Sequence, residues 1–152
     1  MKIPKVVAQT ELVIPTEFPD LRHVDEIAID LETKDPDLLK KGSGSVIGNG
    51  EVIGIAVATK HFKGYFPIAH EGGGNMDKKR VLSWLKDILE SPATKVFHNA
   101  IYDVCWLRAM GFKINGDIAC TMIAAALTDE NRFRNKRSRL VKERIWFCDR
   151  QW

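Results

Sequence analysis

Hydrophobic and polar residues alternate along short stretches in the first half of the chain. In residues 26–31 an apolar side chain stands at every second position, a period typical of a strand with one buried face. The segment from Lys34 to Asp37 ends this strand. Apolar runs at 52–58 and 65–68 predict two more strands, and the glycine- and serine-rich stretch 40–52 is interpreted as a loop. The three runs together predict a meander.

The apolar spacing becomes helical in the middle of the chain. Residues 77–90 place their apolar side chains on one helix face, with Asn75 or Asp77 as the cap and Ser91-Pro92 as the end. Residues 95–98 predict a short strand. Residues 99–110 predict a second helix, which Gly111 closes.

The last predicted elements are a short strand at 113–114 and a strongly apolar helix at 118–127. The order β-β-β-α-β-α-β-α predicts an α/β fold with a mixed sheet, in which a three-strand meander is followed by alternating helices and strands. Three prolines argue against a long helix in residues 1–23, which are interpreted as an extended lead-in.

The composition is that of a soluble globular protein, with 45% hydrophobic and 28% charged residues in a chain of 152. No apolar run approaches the ~20 residues that span a membrane, and the first residues lack the apolar core of a secretory signal. We therefore expect a cytoplasmic protein without a membrane partner. Three cysteines without a CxxC pair indicate neither a disulfide framework nor a zinc knuckle.

Positive charge is concentrated near the end of the chain. Residues 132–150 contain eight Lys and Arg against two acids, whereas the whole chain has a net charge of only +3. This distribution suits a polyanionic partner, and Arg134, Arg137 and Arg139 are the residues that we assign to phosphate binding. A solvated tail is the alternative interpretation.

Two carboxylates lie at the end of the first predicted strand. Asp30 and Glu32 are two residues apart, so both side chains project from the same face of the sheet. Neighbouring carboxylates repel one another, and a divalent cation such as Mg²⁺ or Mn²⁺ removes that cost. Taken alone, such a pair is more typical of a solvated surface.

A third acid, Asp103, lies on the apolar face of the second predicted helix, with Ala100, Trp106 and Leu107. A carboxylate in an apolar stripe is costly unless it is paired or bound to metal. A site shared with Asp30 and Glu32 would explain this position, and a structural hydrogen bond to a neighbouring loop is the alternative.

Two segments then resemble a known family. DLETKDPD, residues 30–37, resembles the D-x-E-T motif of DEDD-type 3′–5′ proofreading exonucleases, and HNAIYDVCWL, residues 98–107, resembles their second motif. The resemblance covers roughly residues 24–133 and is greatest to exonuclease domains of bacteriophage DNA polymerases of the DNA polymerase I type. It implies an RNase H-like fold, followed by a basic tail at 134–152.

The resemblance also implies a site and its partners. Three carboxylates would bind two Mg²⁺ or Mn²⁺ ions and carry out catalysis: Asp30, Glu32 and Asp103. Leu31 and Thr33 would lie beside the 3′-terminal nucleotide, and Asn99 would contact the strand. The expected partners are the single-stranded 3′ end of DNA and a DNA polymerase.

The chain departs from the family pattern at two places. The third motif, a Tyr or His followed four positions later by Asp, has only one late counterpart, which begins with Ile145 and ends with Asp149. Cys120 stands where the family usually has Asp before Thr-Met. The usual set of carboxylates is therefore incomplete.

Two hypotheses from different classes follow. The first is a metal-dependent exonuclease that releases nucleotides from DNA 3′ ends. The second is a catalytically inactive module, derived from such a domain, that binds nucleic acid or a replication partner. A carboxylate pair for glycoside hydrolysis fits less well because it leaves Asp103 and the intervening segments unexplained.

Overall fold

A five-stranded sheet forms the centre of the protein in a computed structural model that describes residues 14–128. Its strands are β1 (Glu26–Lys34), β2 (Glu51–Ala58), β3 (Lys63–Pro67), β4 (Thr94–Phe97) and β5 (Ile118–Cys120). Their order across the sheet is β3-β2-β1-β4-β5. β1, β2 and β3 are antiparallel neighbours, whereas β4 is parallel to both β1 and β5. This confirms the predicted mixed sheet with a meander.

The helices of the described residues are α1 (Leu38–Lys41), α2 (Gly44–Ile47), α3 (Lys78–Leu89), α4 (Ala100–Ala109) and α5 (Thr121–Thr128). Asp77 caps α3, since its side chain accepts the Arg80 N–H at 2.8 Å. Asn75 instead bonds the main chain of His70. No helix among residues 14–128 is long and apolar enough to cross a membrane.

One face of β1 forms the centre of the hydrophobic core. Ile27, Ile29 and Leu31 are at most 6% exposed and pack with side chains of α3 and α4. Burial of each such side chain stabilises the fold by roughly 1.5–3 kcal/mol. The alternation in β1 turns Asp30 and Glu32 to the opposite face.

The segment before β1 also contributes to the core, although residues 14–25 form neither helix nor strand. Phe18 stacks on Phe66 with ring centroids 5.8 Å apart, and the Trp84 indole N–H donates to the Pro19 carbonyl at 2.7 Å. Leu21 is buried. These contacts attach the segment to β3 and α3.

A buried lysine of β4 connects the loops that precede β4 and β5. The Lys95 ammonium group donates to the carbonyl oxygens of Ser91, Ala93 and Asn115 at 2.5, 2.9 and 2.8 Å. Burial lowers the pKa of this lysine. The three bonds fix the loops that lead into β4 and β5.

Two predictions near the end of the described residues were wrong. Residues 113–114 are not a strand, and residues 118–127 do not form one helix. Ile118, Ala119 and Cys120 pair instead with β4, and α5 begins only at Thr121. Pairing with a distant strand therefore overrides the helical preference of this apolar stretch.

The interpretation of residues 40–52 as a loop was also incomplete, because α2 and the end of α1 lie within them. The Asp35 side chain accepts the Gly44 N–H at 2.9 Å, and the Asp37 side chain accepts from Lys41 and Asn49. Two aspartates that follow β1 thus order a glycine-rich segment that local sequence favours as irregular.

Candidate metal and nucleic-acid site

Asp30 and Glu32 lie side by side on the open face of β1. Asp30 is opposite Ala56, and Glu32 is opposite Gly54. The β2 residues between the two acids and β3 therefore carry little or no side chain. Asp30 is half-buried and Glu32 is exposed.

A β-bulge follows immediately after the pair. Glu32 faces Gly54 while Thr33 faces Val52, so Ile53 is the extra residue on β2. The Ile53 carbonyl accepts the N–H groups of Ile68 and Ala69 at 2.9 and 3.0 Å. The carbonyl of the extra residue thus holds the chain that leaves β3 against β2.

Asp103 reaches the same strand from the first turn of α4. β4 pairs with β1 only as far as Ala28, and beyond that point Asp103 Oδ1 accepts the Leu31 N–H at 3.1 Å. Leu31 stands between Asp30 and Glu32 in the chain. The hydrogen bond therefore brings the third carboxyl group to the strand segment that carries the other two.

The surroundings of Asp103 disfavour its charge. The side chain is only 3% exposed. Burial raises the pKa of Asp103 to about 7, and the negative charges of Asp30 and Glu32 act in the same direction, against the opposing effect of the Leu31 N–H. Of the two alternatives that the sequence offered, the structure shows a hydrogen bond to Asp103, although its donor lies on β1 and not in a loop. A site shared with Asp30 and Glu32 stays a prediction.

These residues suit a divalent cation by their chemistry. All three supply oxygen donors, which Mg²⁺ and Mn²⁺ prefer, and a cation among them would relieve the unfavourable charge on Asp103. Within residues 14–128, however, no three side chains of Asp, Glu, His or Cys are gathered closely enough to enclose a metal ion.

The side chains of Leu31 and Thr33 lie on the face of β1 that packs against α4, opposite to Asp30 and Glu32. The Leu31 side chain lies in the core, so only its main chain is available to a nucleotide. The Thr33 hydroxyl is 2.7 Å from the Tyr102 hydroxyl, which in turn donates to Asp35 at 3.1 Å. This chain of bonds connects both motifs to the segment containing α1 and α2.

Asn99 has an unusual backbone conformation. Its φ of 61° and ψ of 52° make it the one non-glycine residue with positive φ among the described residues. It precedes α4 without forming a capping hydrogen bond, and it is exposed. Such a conformation is tolerated by asparagine and turns the chain sharply from β4 into α4.

The remaining predicted positions lie outside the described residues. They are Arg134, Arg137 and Arg139, together with Ile145 and Asp149 of the late segment.

Tyr65 and His70, to which the sequence assigned no role, also face this site. Tyr65 lies opposite Ala56 and therefore in the cross-strand row of Asp30. Burial, with the negative charges of Glu32 and Asp30, raises the pKa of the Tyr65 hydroxyl to about 12. Its oxygen lies 2.5 Å from His70 Nε2. The register between strands, which no local pattern gives, is what places this tyrosine here.

Curated relatives are phage DNA polymerases. The DNA-directed DNA polymerase of Pseudomonas phage M6 is 43% identical over 71 residues, which are 45% of this chain and 11% of that protein. DNA polymerase DpoZ of Acinetobacter phage SH-Ab 15497 is 27% identical over 83% of this chain and 18% of its own length. The chain thus spans less than a fifth of these relatives.

Solved structures share the fold at low sequence identity. Brucella melitensis NrnC with bound Mg²⁺ aligns with a TM-score of 0.50 and 21% identity, over 78% of this chain and 50% of that one. A nuclease solved in its apo form aligns with a TM-score of 0.50 and 24% identity, over 80% and 52% of the two chains. The fold is therefore of the RNase H-like type.

A family model described as 3′–5′ exonuclease matches residues 16–135, which include both motifs and every described acid of the site. The match covers most of the sequence, and phage polymerases are among its relatives. The chain therefore belongs to the DEDD-type 3′–5′ proofreading exonuclease domain family.

Proposed function

We propose that this domain is a metal-dependent 3′–5′ exonuclease that hydrolyses phosphodiester bonds at DNA 3′ ends. The observation that carries the proposal is the position of Asp103, a buried carboxyl group bonded to the main chain between Asp30 and Glu32. Burial of an acid beside two others is costly and is typical of a site that binds cations.

In this proposal Asp30, Glu32 and Asp103 hold two Mg²⁺ or Mn²⁺ ions. Bound there, the ions would supply an activated water and stabilise the charge on the leaving 3′ oxygen. The protein's own contribution is orientation: the Leu31 N–H fixes Asp103, and the β1 strand fixes the spacing of the other two acids.

The DNA strand would lie across the open face of β1. The Leu31 main chain and Thr33 would contact the 3′-terminal nucleotide, and the exposed Asn99 would contact the strand. Arg134, Arg137 and Arg139 would bind phosphates through charge alone. Because the relatives are phage DNA polymerases, we also propose a DNA polymerase as partner and the cytoplasm of the host cell as location.

A 5′-labelled single-stranded oligodeoxynucleotide tests the activity. With Mg²⁺ or Mn²⁺ we expect shortening from the 3′ end, abolished by EDTA. Asp30→Ala should slow it more than about 100-fold, since a lost metal ligand costs several kcal/mol of transition-state stabilisation. Asp87→Ala, on the exposed side of α3, is the matched control and should cleave at the wild-type rate.

The inactive binding module is the second candidate. It is favoured by the separation of the acids within the described residues and by the departure at the third motif. If wild type and Asp30→Ala leave the oligonucleotide equally intact while both bind it in EDTA, the exonuclease proposal is wrong and the binding module replaces it.

A further inference from the structure

The tyrosine on β3 extends toward Glu32 rather than only toward Asp30. Tyr65 is in the row of Asp30, but its hydroxyl lies over Gly54, which is opposite Glu32. A Cβ atom at Gly54 would lie only 1.8 Å from the Tyr65 oxygen. The ring therefore leans over Gly54, and its hydroxyl occupies the space beside Glu32 that a side chain would otherwise fill.

His70 holds this hydroxyl in place. The two rings meet edge to face at a centroid distance of 5.8 Å and an angle of 65°, and the oxygen lies 2.5 Å from Nε2. Asn75 in turn bonds the His70 N–H and carbonyl at 2.7 and 2.8 Å. Glu71, the next residue, forms an ion pair with Lys34 at the end of β1. The pair is thus fixed before any ligand arrives.

Burial and the neighbouring carboxylates decide which of the two side chains, Tyr65 or His70, donates the hydrogen bond between them. Burial, together with the negative charges of Glu32 and Asp30, keeps the phenolic proton on Tyr65. Ionised carboxylates can only accept hydrogen bonds. When His70 carries its proton on Nε2, it donates to the tyrosine oxygen and leaves the phenolic O–H free. An anionic acceptor that approaches the hydroxyl beside Glu32 would then receive this hydrogen bond.

We propose that Tyr65, oriented by His70, is a substrate-positioning residue that donates a hydrogen bond to a non-bridging oxygen of the scissile phosphate. This role rests on the proposed exonuclease function. A fixed donor is most useful here because the phosphate must enter beside three acids, which repel it. Hydrogen bonds to charged groups are strong enough that removal of the hydroxyl should slow cleavage about 10- to 100-fold.

Substrates with a single sulfur atom test this contact. The 3′-terminal linkage of a 5′-labelled oligodeoxynucleotide is made as phosphate, Rp phosphorothioate or Sp phosphorothioate. Tyr65→Phe should be about 10- to 100-fold slower than wild type on the phosphate. On one diastereomer the cleavage rates of the two proteins should agree within about threefold. Sulfur is a poor hydrogen-bond acceptor, so on this substrate the wild type has already lost the bond from Tyr65. The lower cleavage rate of the wild type on this diastereomer should persist when Mn²⁺ replaces Mg²⁺. If the sulfur instead replaced a metal-bound oxygen, Mn²⁺ should restore the rate.

Histidine variants separate orientation from packing. His70→Gln keeps an N–H donor and should retain most activity, whereas His70→Leu should approach Tyr65→Phe. His61→Gln, in the exposed turn between β2 and β3, is the matched control and should match wild type. Thermal unfolding should show all variants folded at the assay temperature.

The outcomes distinguish this role from the function on which it rests. An active wild type with Tyr65→Phe equally fast, or equally slowed on all three substrates, overturns the role alone. A wild type that leaves the phosphate substrate intact overturns the exonuclease proposal, and this role with it. The role is supported if wild type cleaves faster than Tyr65→Phe on the phosphate and on one diastereomer, but not on the other diastereomer.

Discussion

At the scale of single residues, burial and negative neighbours act on the same carboxyl group, that of Asp103. The helix period alone predicted its buried face, and the strand period predicted that Asp30 and Glu32 project together. The Leu31 N–H that joins them was beyond prediction, because it depends on where β4 ends and α4 begins. The position of Tyr65 depends likewise on strand register, which sequence periodicity leaves open.

The raised pKa of Asp103 predicts how stability depends on pH in metal-free protein. In EDTA, the free energy of unfolding should fall as pH rises from about 4 to about 7, because the folded state there binds a proton that the unfolded state has released. Asp103→Asn keeps an oxygen acceptor for Leu31 but removes the charge. Above pH 7 it should be more stable than wild type, by at most on the order of 4 kcal/mol.

Urea unfolding in EDTA at pH 5, 6, 7 and 8 measures this effect. Asp87→Asn, at an exposed position, should keep the wild-type slope with pH. A wild type whose stability stays constant over this range would show that Asp103 is not held in an unfavourable charge state. Asp103→Asn should also lose the exonuclease activity, so that stability is gained at the expense of function.

At the scale of elements, the alternation in β1 and β2 and the apolar face of α3 could be read from local sequence. The junction of β5 and α5 could not, because Ile118–Cys120 is a strand only through its pairing with β4. α1 and α2 could not either, since Asp35 bonds Gly44 across nine positions. Elements stabilised by their own residues are thus predictable here, whereas those stabilised by a partner are not.

Cys120 lies where the starts of α4 and α5 meet. Its sulfur accepts the Ala100 N–H at 3.5 Å. Burial alone would raise the pKa of this thiol, but the N–H groups of Ala100, Ile123, Met122 and Asn99 outweigh burial and lower it. Helix starts stabilise negative charge through such N–H groups. The sulfur thus serves as a shared acceptor for the starts of both helices.

Replacing this acceptor should change stability in a pH-dependent way. Cys120→Ala should lower the free energy of unfolding by about 0.5–2 kcal/mol, as for a lost helix cap. Cys120→Asp should be at least as stable as wild type. The thiol's contribution is complete above its ordinary pKa and is lost as pH falls through the lowered one. The free energy of unfolding of Cys120→Asp should therefore exceed that of wild type by a margin that grows as the pH falls from 9 to 6.

Urea unfolding at those two pH values checks the prediction. Cys105→Ala, which removes the partly buried thiol on α4, is the control for loss of sulfur and should show no such pH dependence. Equal stability of Cys120→Ala and wild type at pH 9 would contradict a capping role.

At the scale of the whole molecule, family and fold were predictable because two motifs stand in order within family-like strands. The match to residues 16–135 confirms the family, and the mixed sheet with its solved neighbours confirms the fold. The order β3-β2-β1-β4-β5 then brings the motifs together at β1. The sequence could not show how closely the acids approach, since that depends on packing between α4 and the sheet. The distribution of charge, with acids on the open face and basic residues after 131, is a property of the chain as a whole.

This charge distribution predicts a salt-dependent attachment that is separable from catalysis. Changing Arg134, Arg137 and Arg139 to Gln should weaken binding of a single-stranded oligodeoxynucleotide in EDTA. It should also reduce the slope of log K against log salt by up to about 2, because each phosphate contact on a single strand contributes about 0.7.

A control with Lys79, Lys86 and Arg108 changed to Gln removes the same charge from exposed positions of α3 and α4. If the three arginines bind phosphates, the control keeps the wild-type slope. In the nuclease assay the arginine variant should then show a higher KM with an unchanged kcat. Its thermal midpoint should also stay unchanged. Equal slopes for both triple variants would mean that net charge alone, and not these arginines, attracts the strand.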